Sequence, residues 1–162
     1  MSIKLLVMDV DGTLTDGHIY ISSSGEAMKA FHVQDGYGIA HILPELGITP
    51  VIITGRKSEI VAVRAAELKI HELYQGVSDK LAQLWAVGEK LGAVPEEIAY
   101  IGDDLNDLDC IRACGFTACP ADAVPEVLKA VDYVCKKEGG RGAVREFIAE
   151  IRGRMLRKLQ NP

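Results

Sequence analysis

The stretch IKLLVMDVDGTLT, residues 3–15, joins an apolar run to an acidic turn. From Ile3 to Met8 every residue except Lys4 is apolar, which is typical of a strand buried on both faces of a parallel sheet. Asp9 and Asp11 follow at once, two residues apart. Because open parallel sheets bind their ligands beyond the carboxyl ends of the strands, this stretch predicts both the fold class and the place of a site.

The same change from apolar strand to polar turn recurs along the chain. The further candidate strands are residues 48–53, 98–101, 116–118 and 133–134. Between the strands, apolar residues recur at helical spacing in the segments 39–46, 57–68, 80–91, 105–114, 125–130 and 143–156. This alternation predicts an α/β fold, a doubly wound (Rossmann-like), mostly parallel sheet of about five core strands with helices on both faces.

One segment departs from the alternation. Two short extended runs, 18–22 and 27–33, flank the polar turn SSGE at 23–26, and this pattern predicts a β-hairpin. Two strands alone are marginally stable in water. The hairpin at about 18–33 must therefore pack on its own domain or on another copy of the chain.

The composition bounds the class of protein. The chain of 162 residues is 48% hydrophobic and 25% charged, the balance of one globular domain, which we predict to span 1–162. No apolar stretch approaches the roughly 20 residues of a membrane helix, and no secretory signal precedes the first strand, so we expect a cytoplasmic protein. A net charge of −5 argues against a nucleic-acid or membrane-surface binder and favours a small-molecule ligand.

The four cysteines lie close together in the sequence but lack CxxC spacing. Two of them, Cys110 and Cys114, are four residues apart and could share a helix face as a zinc or redox pair. Small core side chains are the simpler interpretation, since free Cys packs like an apolar residue. We therefore expect reduced thiols.

Acidic side chains follow two of the predicted strands. The motif DVDGT begins at Asp9, and the motif GDDLND contains Asp103 and Asp107. Either motif alone could be an acidic turn or a solvated helix entry. A divalent cation would relieve their mutual repulsion, and hard oxygen ligands without His or Cys favour Mg²⁺ over zinc.

Groups suited to a small anion stand at two further positions. Thr54, Gly55 and Arg56 offer a hydroxyl and backbone N–H groups just before a predicted helix, although Thr54 could equally be a plain N-cap. Lys80 opens the next predicted helix, where a cation opposes the helix dipole unless it has an anionic partner. A lone Lys would usually be an exposed surface residue, so only the neighbouring motifs make Lys80 a candidate.

The ordered set DxDGT, TGR, Lys and GDDxxD resembles the haloacid dehalogenase-like (HAD) phosphohydrolases over nearly the whole chain. The resemblance implies that Asp9 is the nucleophile and forms an aspartyl-phosphate. It implies that Asp11 protonates the leaving alcohol and then activates water, and that Thr54 and Lys80 hold the phosphoryl oxygens. Mg²⁺ neutralises the repulsion between the carboxylate and the phosphate in this chemistry.

The same resemblance implies the metal ligands, which would be Asp9, Asp103 and the main-chain carbonyl of Asp11. Asp107 would orient Lys80 or a metal-bound water. Only about 40 residues separate the first two motifs, so no cap domain fits between them. An open site excludes water poorly, and the hairpin is the candidate cover.

Further segments are similar to one capless subgroup, the 3-deoxy-D-manno-octulosonate 8-phosphate (KDO 8-phosphate) phosphatases. The matching segments are MDVDGTLTDG, KAFHVQDGYGI, ITGRKSEIVAVRAAELKI, YQGVSDK, GDDLND and GGRGAVRE. This similarity implies release of KDO for lipopolysaccharide synthesis by a homotetramer in which hairpins form a central barrel and adjacent subunits complete each site. The basic tail from Arg152 to Pro162 does not match the substrate-covering tail of that subgroup.

The substrate would be a sugar-acid phosphate, which carries a carboxylate besides its phosphate. The candidate substrate-binding residues are Gly55, Arg56, Arg64 and Lys80, and the two arginines suit the carboxylate. Arg64 could instead be an exposed helix charge.

Two other functions remain open from the sequence. A sialic-acid-type (nine-carbon) 9-phosphate phosphatase would share almost every motif, but its subgroup tends to have an acidic residue where Arg56 stands. A non-enzymatic phospho-acceptor or regulatory module could also use this fold. Receiver domains, however, place the acceptor Asp on the third strand, whereas here the acidic pair follows the first.

Overall fold

The computed structural model describes residues 2–160, so residues 1, 161 and 162 of the predicted domain and of the basic tail lie outside it. Within the described residues the strands are β1 Leu5–Met8, β2 Tyr20–Ser22, β3 Gly25–Met28, β4 Thr49–Ile53, β5 Glu72–Tyr74, β6 Ile98–Ile101, β7 Phe116–Cys119 and β8 Tyr133–Val134. Six of them form a parallel sheet in the order β5-β4-β1-β6-β7-β8. The predicted doubly wound α/β fold is confirmed.

The predicted number of five core strands is wrong, because β5 is a sixth. It has three half-buried residues, Glu72–Tyr74, at the edge of the sheet beside β4. An edge strand this short has no apolar run to reveal it. Its identity is set by pairing with β4, which is a tertiary contact.

The described helices are α1 Val33–Tyr37, α2 Leu43–Glu45, α3 Glu59–Glu67, α4 Lys80–Leu91, α5 Leu108–Ala113, α6 Pro125–Leu128 and α7 Ala143–Gln160. A π-helical turn, Gly38–Ile42, joins α1 to α2, so helical structure begins six residues before the predicted start at 39. Single 3₁₀ turns lie at Pro95–Glu97 and Leu105–Asp107. The helix α4 has the predicted bounds.

Alternate residues of the strands pack into two apolar layers, one on each face of the sheet. Leu6, Met8 and Ile52 belong to the layer that includes Ile39 and Phe147, from the turn after α1 and from α7. The opposite layer combines strand residues with α4, α5 and α6; its members include Leu5, Val7, Val51, Leu84, Val87, Ile111 and Val127. Burial of both faces explains why β1 reads as a continuous apolar run.

The strands β2 and β3 pair antiparallel and form the predicted hairpin. The second strand begins at Gly25, two residues earlier than predicted, and ends at Met28, so the turn is confined to Ser23 and Ser24. Large apolar side chains of the hairpin are exposed, with Ile21 at 72% and Met28 at 57%. The hairpin therefore presents an apolar surface to its surroundings.

Two basic residues of the C-terminal helix pair with an acidic residue of the same helix. Arg154 lies 2.7 Å from Glu150 and stacks over the Phe116 ring at 4.0 Å, and Arg157 lies 3.4 Å from Glu150. Among residues 2–160 no helix has the length and apolarity needed to cross a membrane. All four cysteines are free, as predicted.

Candidate active site

The central position of β1 brings the predicted site residues together. It pairs with β4 on one side and β6 on the other, so the carboxyl ends of all three strands meet at one edge. Asp9, Thr54 and Asp103 follow these strand ends. The backbone N–H of Asp9 donates to the carbonyl of Ile101 at 3.1 Å and ties the first motif to β6.

A tight turn after Asp9 shapes the floor of the site. The N–H groups of Thr13, Leu14 and Thr15 all donate to the carbonyl of Val10 at 2.9–3.1 Å. Gly12 has φ +94°, and a Cβ there would overlap the Asp103 carboxylate. Glycine adopts this conformation without strain, and its missing side chain leaves room for Asp103 to approach the first motif. The Thr13 hydroxyl donates to Asp103 at 2.8 Å and holds it there.

The loop before α7 supports this turn from outside. The N–H of Gly140 donates to the carbonyl of Thr13 at 3.0 Å. A Cβ on Gly139 would overlap the carbonyl oxygen of Gly12. The glycines of this loop therefore serve close packing against the acidic motif.

Lys80 is the cation at the centre of the site. Its side chain is 3% exposed, and Nζ donates to Oδ1 of Asp9 and to Oδ1 of Asp107, both at 2.8 Å. Asp79 caps α4 by accepting from Ala82 N–H, which fixes the start of the helix at Lys80. Burial alone would lower the pKa of Lys80, but the two carboxylates outweigh it and raise the pKa above its ordinary value.

Asp107 is fully buried and all its hydrogen bonds come from protein groups. Oδ1 accepts from Lys80 and from the Tyr100 hydroxyl, the latter at 2.6 Å. Oδ2 accepts from the N–H groups of Asp103 and Asp104 at 2.9 and 3.2 Å. This saturated carboxylate holds Lys80 and the turn after β6 in place.

Asp9 and Asp103 are the two carboxyl groups of the site whose pKa values are raised. Burial, and next the charge of Asp107, raise the pKa of Asp9 to about 6. Burial, and next the charge of Asp9, raise the pKa of Asp103 to about 8. Among the described residues, Asp9, Asp103 and Asp107 form a group whose ligand oxygens lie within 4.8 Å of one another. Unrelieved repulsion between oxygen ligands fits a hard divalent cation such as Mg²⁺.

An open cleft of about 450 Å³ lies above these groups. Its lining residues are Asp9, Asp11, Thr54, Gly55, Arg56, Asp104 and Asn106. The α3 helix is capped by Ser58, which accepts from Val61 N–H, so the alternative of Thr54 as an N-cap is wrong. Thr54 and Gly55 are instead loop residues that face the cleft.

The two candidate arginines differ in position. Arg56 lines the cleft, is half exposed, and places Nε 3.9 Å from Oδ2 of Asp11. Arg64 does not line this cleft, since it pairs with Glu67 at 2.8 Å and lies over the Phe31 ring at 5.6 Å. Of the two arginines, only Arg56 lies beside the other predicted site residues in the part of the chain that the structure describes.

Sequence reasoning missed the polar groups that surround Asp11. Lys29 of the hairpin stem donates to Oδ1 of Asp11 at 2.6 Å, and its side chain is 1% exposed. Lys29 also lies 2.9 Å from Glu26, which accepts from the Ser58 hydroxyl. A polar hairpin gives no sequence signal for such burial, because the partners are 18 and 32 residues apart along the chain.

Comparisons with known proteins agree with this geometry. A family model described as haloacid dehalogenase-like hydrolase matches residues 53–148. The 3-deoxy-D-manno-octulosonate 8-phosphate phosphatase of Escherichia coli (strain K12) is 49% identical over 145 residues, which cover 90% of this chain and 77% of that protein.

Two crystal structures share the fold. That of the same phosphatase from Yersinia pestis is 46% identical, has a TM-score of 0.89, and covers 92% of this chain and 80% of its own. That from Moraxella catarrhalis, in complex with a magnesium ion, a phosphate ion and a KDO molecule, is 46% identical with a TM-score of 0.88. It covers 92% of this chain and 85% of that one.

Proposed function

Because this chain belongs to the haloacid dehalogenase-like hydrolases and, within them, to the KDO 8-phosphate phosphatase family, we propose that it hydrolyses KDO 8-phosphate to KDO and inorganic phosphate. It is a phosphoric monoester hydrolase, with Mg²⁺ as cofactor and a place in lipopolysaccharide precursor synthesis. The observation that carries the proposal is the buried Lys80, held 2.8 Å from both Asp9 and Asp107 below an open cleft.

The reaction proceeds in two displacements. An oxygen of Asp9 attacks phosphorus as the bond from phosphorus to the sugar oxygen breaks, and Asp11 gives its proton to that oxygen. Asp11 then takes a proton from water, which attacks the aspartyl-phosphate, releases phosphate and regenerates Asp9. One acid/base residue serves both steps in opposite directions. Thr54 and Lys80 bind the phosphoryl oxygens.

The residues of the site fit Mg²⁺. Asp9, Asp103 and the main-chain carbonyl of Asp11 would hold the ion, and bound Mg²⁺ supplies positive charge against the phosphate. Asp107 lies in the same cluster, but its oxygens already accept four hydrogen bonds. Its role is therefore to position Lys80.

The substrate's carboxylate is assigned to Arg56, whose guanidinium lines the cleft beside Gly55. The role of Arg64 in substrate binding stays a prediction. It requires that Arg64 contacts the substrate in the site of a neighbouring subunit. The nine-carbon 9-phosphate is the weaker alternative, because the relatives compared above are named for KDO 8-phosphate. A signalling domain that retains its phosphoryl group has no use for an acid/base residue such as Asp11 in the cleft, because that residue promotes hydrolysis.

The proposed assembly is a homotetramer in which each subunit is a single HAD-like domain without a cap domain. Its proposed location is the cytoplasm. The segment between the first two motifs, residues 9–54, contains the hairpin and one helical segment, in agreement with a chain that has no cap domain. The exposed apolar side chains of the hairpin support contact with other copies. Light scattering should show four times the chain mass of 17.5 kDa, whereas a clean monomer would reject this assembly.

The deciding experiment is phosphate release with Mg²⁺ from KDO 8-phosphate, a sialic acid 9-phosphate and a generic sugar phosphate. We expect a strong preference for KDO 8-phosphate. Preference for the nine-carbon sugar would keep the mechanism and overturn the substrate, and no release from any of them would overturn the function. Asp9→Asn is the control, with a rate lower by at least about 10⁴-fold since it removes the nucleophile.

A further inference from the structure

The stem of the hairpin carries a lysine into the candidate active site. Lys29 directly follows β3, and its side chain is 1% exposed. Nζ donates to Oδ1 of Asp11 at 2.6 Å and lies 2.9 Å from Oε1 of Glu26. A buried ammonium is costly unless carboxylates surround it, and Lys29 lies between two of them.

The two oxygens of Asp11 have different environments. Oδ1 accepts a hydrogen bond from Lys29, whereas Oδ2 lies 3.9 Å from Nε of Arg56, too far for a hydrogen bond. The Asp11 side chain is 19% exposed and lines the cleft. Lys29 thus occupies one oxygen and leaves the other for a group in the cleft.

We propose that Lys29 is a positioning residue for the general acid of this enzyme. By binding Oδ1 it holds the Asp11 carboxyl in the orientation from which Oδ2 gives its proton to the leaving sugar oxygen. It also prevents the carboxylate from turning onto Arg56, which must be free for the substrate. The inference rests on the proposed function, because it assumes that Asp11 is the acid of the first step.

A purely structural role for Lys29 makes a different prediction. Glu26 links Lys29 to the Ser58 hydroxyl at the start of α3, so the same lysine fastens the hairpin to the body of the domain. Loss of an anchor would reduce turnover of every substrate in the same proportion. Loss of a positioned acid slows the first displacement, which kcat/KM measures, only for substrates whose leaving group needs a proton.

The test compares two substrates with the Lys29→Met enzyme. The leaving group of KDO 8-phosphate is the KDO alkoxide, which needs the acid, so we expect kcat/KM to fall by about 10²-fold. The leaving group of p-nitrophenyl phosphate is a stable phenolate that needs no proton, so we expect its kcat/KM to change by less than about threefold, even where slower hydrolysis of the aspartyl-phosphate lowers its kcat. Lys29→Arg keeps a cationic donor and should restore most of the KDO 8-phosphate rate.

Two further variants sharpen the result. In an Asp11→Asn background, Lys29→Met should reduce KDO 8-phosphate turnover no further, because the group that it positions is absent. Ser58→Ala is the matched control, since it removes the link to Glu26 and leaves the contact between Lys29 and Asp11. We expect its effect to be equal for the two substrates.

Equal losses for both substrates in Lys29→Met, or additive losses in the Asp11→Asn background, would overturn the positioning role and leave the proposed function intact. Inactivity of the unmodified protein toward KDO 8-phosphate would instead overturn the proposed function. If circular dichroism shows that Lys29→Met is unfolded, Lys29→Gln, which retains a polar stem, takes its place under the same criteria.

Discussion

Lys80 and Lys29 are both buried, and each lies between two carboxylates, but different parts of the molecule hold them. Lys80 starts a regular helix in the body of the domain and contacts Asp9 and Asp107 at 2.8 Å. Lys29 lies on the hairpin stem and contacts Asp11 and Glu26 at 2.6 and 2.9 Å. The first lysine is built into the core, and the second depends on the position of a small two-stranded sheet.

The two lysines hold carboxylates to which different roles are proposed. The proposed phosphate and metal ligands follow the central strands β1, β4 and β6 or, for Lys80, start the helix α4. Asp11, the proposed acid and base, is instead held by Lys29 of the hairpin, a segment whose apolar side chains are exposed. Assembly of hairpins would therefore affect acid catalysis before it affects binding of phosphate.

The largest effect is expected for Lys80→Met. It removes the cation proposed to bind the phosphoryl group and leaves Asp9 and Asp107 buried without their shared partner, which should reduce kcat by about 10²- to 10³-fold. Breaking a buried ion pair from one side destabilises a fold by about 3–5 kcal/mol, so the melting temperature should fall as well. Steady-state kinetics and thermal unfolding measure the two effects.

The control for Lys80→Met is Lys29→Met, which should retain kcat/KM toward p-nitrophenyl phosphate while Lys80→Met loses it. If both variants lost the same activities, Lys80 and Lys29 would not differ in function, and the proposed difference between the two lysines would be wrong.

A smaller effect concerns pH and metal. The pKa values of Asp9 and Asp103 are raised to about 6 and about 8, above the ordinary carboxyl value near about 4. The stability that these groups contribute is full below the unfolded pKa and is lost as pH rises through the folded pKa values. With EDTA present, the melting temperature should therefore fall between about pH 4 and about pH 8, and Mg²⁺ should restore it most at the alkaline end.

Asp103→Asn is the matched variant for this prediction. It removes one of the repelling charges, so the EDTA-treated variant should melt higher than the parent at pH 8 and respond weakly to Mg²⁺. A melting temperature of the parent that is independent of pH and of Mg²⁺ would contradict a metal site at these carboxylates. EDTA should also stop phosphate release reversibly.

The smallest effect is expected for Lys90→Met. Lys90 pairs with Glu72 at 2.8 Å, as closely as Lys80 pairs with its partners, but its side chain is 58% exposed. Water screens an exposed pair, so turnover and melting temperature should both stay unchanged within error. A clear loss would show that distance rather than burial decides the importance of these lysines.

Much of the site could be predicted from the sequence, because its residues follow patterns that local physics imposes. The apolar run before Asp9 requires burial on both faces, and the helix start at Lys80 is marked by its capping residue Asp79. The residues Gly12 and Gly139 were harder to interpret. Their purpose is close approach between loops that are distant in sequence, and only the folded chain shows it.

The errors have the same origin. The strand Glu72–Tyr74 exists through its pairing with β4, and the hairpin strands are set by their mutual register rather than by their apolar content. Ser58, not Thr54, caps α3, which leaves Thr54 in the loop that faces the cleft. Local propensity does not distinguish such alternatives, because both residues carry a hydroxyl suited to capping.

By itself the sequence determined the alternating α/β order, the acidic motifs at two strand ends and the family to which the chain belongs. Hydrophobic periodicity and motif order are properties of the chain alone, so no contact was needed to recognise them. Only the tertiary structure decided that Lys29 reaches Asp11, that Asp107 is saturated and that Arg64 stays outside the cleft. Such facts depend on which side chains meet across long sequence separations. Burial and charge affect these side chains only once the chain has folded.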